Sequence, residues 1–237
     1  VKPAREPGGT EAGMQLRDLV LSPERDISPE AELFLYLADR AINVSEVVRP
    51  GLTDDRIVVC ERHTDSTLAY QGYGRGLDIE LLRRLNAMAT GGLMPDLTLV
   101  LDLPASKVRL DEARLDRLEL EGSEFLARVG QGFRELAASE PDRIRLIDAS
   151  GDVQAVHERI VALIGELVAG FGDETELHYL MSLRPAGSAE TVVVGFKNLE
   201  DTLRLALAPR NEAFLEVFNR AIAEGRSGGE RRPEREA

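Results

Sequence analysis

Residues 57–76 read Ile-Val-Val-Cys-Glu-Arg-His-Thr-Asp-Ser-Thr-Leu-Ala-Tyr-Gln-Gly-Tyr-Gly-Arg-Gly, and this stretch decides the fold class. Ile57 to Cys60 is an unbroken apolar run of strand length, the pattern of a strand covered on both faces of a parallel sheet. A polar turn, Glu61-Arg62-His63, follows it, and a helix is predicted over roughly 65–73. On a helix, positions 63, 66, 67, 70 and 71 share one face. That face carries the hydroxyls of Ser66 and Thr67, the phenol of Tyr70 and the amide of Gln71. A polar face directly after a buried strand is where α/β folds bind ligands, outside the carboxyl ends of the strands.

Working outward, Leu97 to Leu101 is a second apolar strand run and Ile144 to Ile147 a third. Helices are predicted between and after them, at roughly 78–89, 116–139 and 153–168. Upstream, apolar residues recur at helical spacing from Thr10 to Leu21 and from Ser28 to Val48, where Ser28 is a suitable N-cap and Pro29 suits the first helical position. Ahead of them, Arg5-Glu6-Pro7-Gly8-Gly9-Thr10 reads as a strand end turning into a loop. Buried strands alternating with helices predict an α/β sandwich with a mainly parallel sheet. The text changes after Ala169. Leu177 to Leu183 and Thr191 to Phe196 are strand-like and 199–223 reads as helical, interrupted at Pro209, so 169–223 is expected to be a small α+β extension. Residues 224–237, rich in Gly, Arg, Glu and Pro, read as a disordered tail.

The 237 residues include 42 acidic and 29 basic side chains, a formal net charge of −13. That balance argues against a nucleic-acid or anionic-membrane partner, since phosphate surfaces are held by excess Lys and Arg. It leaves room for a small anion in a local basic pocket. The single cysteine, Cys60, excludes an internal disulfide and a Cys-rich zinc site, and a reducing, cytoplasmic setting is expected. His63, His157 and His178 show no metal spacing and are expected to be structural or surface residues.

Together with Arg5-Glu6-Pro7-Gly8-Gly9-Thr10, Ala38-Asp39-Arg40-Ala41, Pro95-Asp96-Leu97-Thr98 and Asp116-Arg117-Leu118-Glu119, the opening stretch closely resembles the bacterial thymidylate (dTMP) kinases. Five motifs match in order from residue 5 to about residue 168. The resemblance implies a P-loop NTPase-like three-layer sandwich over residues 1–168 that transfers the ATP γ-phosphate to dTMP, with Mg²⁺, in a homodimer. It implies that Arg62 grips the monophosphate and that Ser66, Thr67, Tyr70 and Gln71 surround base and sugar. Tyr36, four residues before Arg40, would stack on thymine while Arg40 donates to its O4. Glu6 and Arg17 would line phosphate and sugar. Residues 109–119 resemble the lid that closes on ATP, with Arg114 and Arg117 as candidates for the arginine that neutralises the migrating phosphoryl group.

Three departures from the family stand out. No G-x-x-x-x-G-K-[ST] stretch, whose amides and Lys cradle ATP phosphates, occurs in the sequence. In the family it lies on a first strand, central to the sheet, that precedes the Arg-Glu-Pro-Gly-Gly loop. The expectation is therefore that coding sequence upstream of Val1 supplies it, the alternative being a dTMP-binding protein without kinase activity. Glu61 stands where the family usually has Asp, keeping a carboxylate near Mg²⁺ and phosphate. Everything after residue 169 is an addition about which the resemblance implies nothing. A kinase for another nucleotide is disfavoured by Ala69-Tyr70-Gln71-Gly72 and by Arg40.

Overall fold

The computed structural model describes residues 2–54, 58–103, 115–170 and 179–183. Four strands follow the chain in order: β1 (Lys2–Arg5), β2 (Val58–Glu61), β3 (Leu97–Asp102) and β4 (Ile144–Asp148). A fifth, β5 (Tyr179–Leu183), completes a sheet of order β1-β2-β5-β3-β4 in which every pairing is parallel. Helices α1 (Glu11–Leu21), α2 (Pro29–Asn43), α3 (Arg49–Thr53), α4 (Thr64–Thr67), α5 (Ile79–Thr90), α6 (Ser123–Ser139) and α7 (Val153–Gly170) lie between and after the strands. The α/β architecture with a mainly parallel sheet is thus as the sequence implies.

Local sequence explains where the helices start. Thr10 accepts the Gly13 N–H at 2.9 Å to cap α1, Ser28 accepts from Ala31 ahead of Pro29 in α2, and Asp78 accepts from Leu81 at 2.6 Å in α5. The core is formed where Val58, Cys60, Leu97, Leu99, Val100, Ile144 and Ile147 of the strands meet Leu33 and Leu37 of α2, Leu82 of α5, and Phe125, Val129, Phe133 and Leu136 of α6. Tyr70 joins this core edge-on to Phe125 and Phe133, with ring centroids 6.2 and 6.1 Å away.

Three helices differ in detail from the sequence reading. The segment after β2 is α-helical only over α4, then widens into a π-helical turn, Leu68–Gly74, where the Arg75 N–H reaches the Tyr70 carbonyl at 3.0 Å. Such widenings concentrate at functional sites. The run from Ser28 to Val48 divides likewise, α2 giving way to a π-helical turn at Val44–Val48. The helix expected over 116–139 begins only at Ser123, because Gly122 turns the chain at φ 87° after a short 3₁₀ turn, Glu119–Glu121.

β5 comes from the stretch expected to form a separate α+β extension, yet it lies inside the main sheet. Val58–Glu61 of β2 pairs with Tyr179–Ser182 on one side, and Leu97–Val100 of β3 pairs with Leu180–Leu183 on the other. The chain steps across the sheet from β1 to β2, on to β3 and out to β4, and then returns to place β5 in the gap between β2 and β3. The rest of 171–223 and the expected tail at 224–237 lie outside the described residues. Among the described residues no helix is long and apolar enough to cross a membrane.

Candidate active site

The carboxyl ends of β1 and β2, aligned by the Arg5–Glu61 register pair, open onto a cleft. Its walls are Glu6 and Pro7 after β1, Arg17 and Leu21 of α1, Tyr36 and Arg40 of α2, Glu61 and Arg62 at the end of β2, Ser66 and Thr67 of α4, Tyr70 and Gln71 of the π-helical turn, and Asp116 with Leu118. Glu6, Arg17, Tyr36, Arg40, Glu61, Arg62, Ser66, Thr67, Tyr70 and Gln71, singled out in the sequence, are therefore brought together on one cleft. Arg117 is not on its wall, and Arg114 lies outside the described residues.

Arg62 has φ 64°, a left-handed backbone that is costly for a residue with a Cβ. The bend carries its guanidinium 4.9 Å above the ring of Tyr70. Burial opposes the charge, but Tyr70, Glu61 and Tyr36 around it more than compensate and hold Arg62 firmly protonated. Ser66 is buried and its hydroxyl has no hydrogen-bond partner among the described residues. A fixed cation beside an unengaged hydroxyl suits an anionic ligand. Arg17 reaches across the loop to donate to the Pro7 carbonyl at 3.0 Å. Burial and the neighbouring Arg5 push its pKa down. Burial likewise raises the Tyr36 phenol well above its ordinary value, so it stays neutral.

Beneath the cleft, Arg40 is 2% exposed and almost fully engaged by protein groups. Its Nε donates to Glu6 at 2.7 Å, Nη1 to Thr67 at 2.7 Å and Asn86 at 2.6 Å, and Nη2 to the His63 carbonyl at 2.9 Å. Four of the five donors of a guanidinium are thereby committed. Glu6 also accepts from Asn43 at 3.1 Å and lies 3.0 Å from His63 Nδ1. Burial pushes its carboxyl up, but His63, Arg40 and Asn43 outweigh that and bring it down to about 2. Glu6, Cys60 and His63 cluster closely enough to share an ion, but the Arg40 cation on Glu6 already neutralises the carboxylate. His63 is thus a buried structural residue, and His157 is half-buried on α7.

Two acidic residues of this neighbourhood went unread in the sequence. Asp39, next to Arg40 but on another face of α2, accepts the Gly8 N–H at 2.9 Å and so holds the loop after β1. Gly8 has φ 98°, the dihedral that requires glycine there. Burial raises the Asp39 carboxyl to about 7 in spite of that hydrogen bond, with Glu6 adding to the rise and Arg40 and Arg17 opposing it. Glu32, fully buried on α2, gathers Gln71, Arg75 and Arg117. Arg117 also donates to the Val20 carbonyl at 2.9 Å, so its side chain ties the end of the lid segment to α1 and α2. The run Glu30-Ala31-Glu32 gave no sign of this, because a Glu in the first turn of a helix is ordinarily solvated.

The thymidylate kinase family model matches residues 1–160. A thymidylate kinase of a Synechococcus strain, JA-2-3B'a(2-13), is 56% identical over 161 residues, covering 68% of this chain and 77% of that one. One from Solidesulfovibrio magneticus is 48% identical over 175 residues, covering 69% and 84%. The crystal structure of thymidylate kinase from Ehrlichia chaffeensis superposes with a TM-score of 0.56 at 31% identity, over 69% of this chain and 79% of that one. With its parallel sheet, its cleft at the strand ends and these matches, the chain belongs to the thymidylate kinase family of phosphotransferases.

Proposed function

We propose that the cleft binds dTMP as the acceptor of a phosphoryl group from ATP, giving dTDP. The observation that carries this reading is the placement of Arg62, Tyr36, Tyr70 and Gln71 on one cleft with opposite chemical ends. Arg62, Arg17 and the Ser66 hydroxyl suit a monophosphate, since a guanidinium fork matches phosphate oxygens bidentately. Tyr36 and Gln71 suit a flat base with polar edges, and Thr67 and Glu6 stand between. Arg40 acts mainly by fixing Glu6, Thr67 and the His63 carbonyl, with its remaining N–H available to a carbonyl of the base.

The reaction is an in-line transfer in which the protein positions groups and neutralises charge. Arg62 orients the acceptor phosphate. Glu61, a carboxylate on the same wall, fits a hard cation that prefers oxygen ligands. Mg²⁺ held there would neutralise phosphate charge. Arg114 on the lid is the candidate for the migrating phosphoryl group, whereas the packed Arg117 is assigned to holding the lid base. No residue of this chain is assigned to the ATP phosphates, because no glycine-rich Lys loop occurs among the 237 residues. Exposed Phe34 on α2 and Leu81 and Met88 on α5, two helices in contact, support a homodimer. The acidic balance supports a protein without nucleic-acid or anionic-membrane partners, and the single cysteine supports a reducing, cytoplasmic setting.

The test is calorimetric dTMP binding together with ATP-dependent dTDP formation, for this chain and for one extended upstream through its coding sequence. Binding by both and turnover by the extended form is expected. Binding without turnover in either form would identify a dTMP-binding protein without kinase activity, a reading favoured by the missing Lys loop. Failure of both to bind dTMP would end the thymine reading.

A further inference from the structure

We propose that Glu32 is a positioning residue that sets base specificity: it holds the amide nitrogen of Gln71 and thereby turns the amide carbonyl toward the cleft. This rests on the reading of the cleft as a nucleoside monophosphate site. Gln71 lies on the cleft wall, whereas Glu32 does not. Gln71 Nε2 donates to Glu32 Oε1 at 2.7 Å, so the nitrogen branch of the amide points behind the wall and the oxygen branch diverges from it. The reverse orientation is excluded chemically, because an ionised carboxylate only accepts hydrogen bonds and would repel a carbonyl oxygen.

The carboxylate is itself held from three directions. Arg75 donates at 2.8 Å and Arg117 at 2.5 Å to Glu32 Oε2, and Arg75 Nε approaches Oε1 at 3.3 Å. Arg75 is braced in turn by Glu121 at 2.6 Å, and Arg117 by the Val20 carbonyl. Burial works against the charge of Glu32, but the hydrogen bonds from Arg75, Gln71 and Arg117 outweigh it and keep the carboxyl below its ordinary range. Gln71 therefore cannot exchange its amide ends while this network stands. A cleft that offers an acceptor at Gln71 favours a base with a ring N–H, as in thymine and uracil. It disfavours cytosine, whose N3 is an acceptor and would meet the carbonyl oxygen directly. Sites built on one hydrogen-bond pattern reject the mismatched partner because a buried group is left unpaired.

The test compares dTMP, dUMP and dCMP binding by calorimetry in the wild type, Glu32→Gln and Gln71→Met. In the wild type, dTMP is expected to bind better than dCMP. In Glu32→Gln the new amide both donates and accepts, Gln71 can turn over, and the dTMP:dCMP affinity ratio is expected to fall about tenfold or more. The dUMP:dCMP ratio should fall in parallel, since uracil carries the same N–H. A purely structural role would weaken all three ligands alike, and an unchanged ratio in folded Glu32→Gln overturns the proposal. Should Glu32→Gln fail to fold, Gln71→Met reads the same contact with the Glu32 pairs to Arg75 and Arg117 intact, and an unchanged ratio there overturns it as well. A wild type that binds no nucleoside monophosphate would instead overturn the site reading beneath it, an outcome distinct from binding without discrimination.

Discussion

Arg40 and Arg62 border the same cleft but sit in opposite physical states. Arg40 is buried with four donors fixed on Glu6, Thr67, Asn86 and His63, binding α2 to the loop after β1, to α4 and to α5. Arg62 is held by a left-handed backbone and a ring beneath it. The first region behaves as scaffold, the second as ligand contact. A guanidinium surrounded by its own protein fixes geometry, whereas one placed at backbone cost on a cleft wall is arranged for something that arrives later.

The strongest way to break this contrast is Arg40→Met. It strands Glu6 in the interior without its cation, and unfolding in urea is expected to reveal a loss of about 3–5 kcal/mol. A loss under about 1 kcal/mol would mean that the two arginines do not differ as described. Arg62→Ala is next: dTMP affinity is expected to fall by about 2–5 kcal/mol with the fold intact, read by calorimetry, and unchanged affinity would remove Arg62 from the site.

A pH series sharpens the scaffold side. Asp39 has a folded pKa of about 7 against 3.8 in the free residue, so between those values the folded protein keeps a proton that the unfolded chain has released. Stability from this group therefore falls as pH rises from about 4 to 7 and stays low above that. Glu6, brought down to about 2 from 4.5, acts in the opposite sense, and its contribution is lost as pH falls below 4.5. Asp39→Asn is expected to remove the decline toward pH 7, on the order of 2 kcal/mol, as followed by thermal unfolding at pH 5 and pH 8. An identical slope in wild type and variant would refute the assignment. The smallest change is expected in the stability of Arg62→Gly, which relieves the left-handed backbone and should raise stability by about 1 kcal/mol in urea unfolding, while weakening dTMP as Arg62→Ala does.

The sequence made the cleft legible because its residues follow strands with unmistakable apolar runs. Val58 to Cys60 and Leu97 to Leu101 are strands by composition alone, and the polar face of 63–71 follows directly. Arg40 was legible as a residue but not as scaffold, since its partners Asn86 and Glu6 lie on remote elements with no pattern linking them. Glu32 and Asp39 were invisible for the same reason: each looks like a solvated helix carboxylate until tertiary packing covers it. The Gly122 break was hidden inside a run of helix formers, where only the positive dihedral reveals it. β5 was readable as a strand, but its neighbours were not, because pairing partners are chosen by the space left between other strands.

That last feature bears on how the molecule is made. β5 meets β2 and β3 across the middle of the sheet, although its residues are translated after both. Each β5 residue pairs with a β2 residue 121 positions upstream, as Tyr179 does with Val58, so these contacts are of high order and slow to form. β5 therefore locks the β1–β2 pair to the β3–β4 pair through pairings that join Tyr179 to Val58 and Leu180 to Leu97, the most distant in sequence among the described strands.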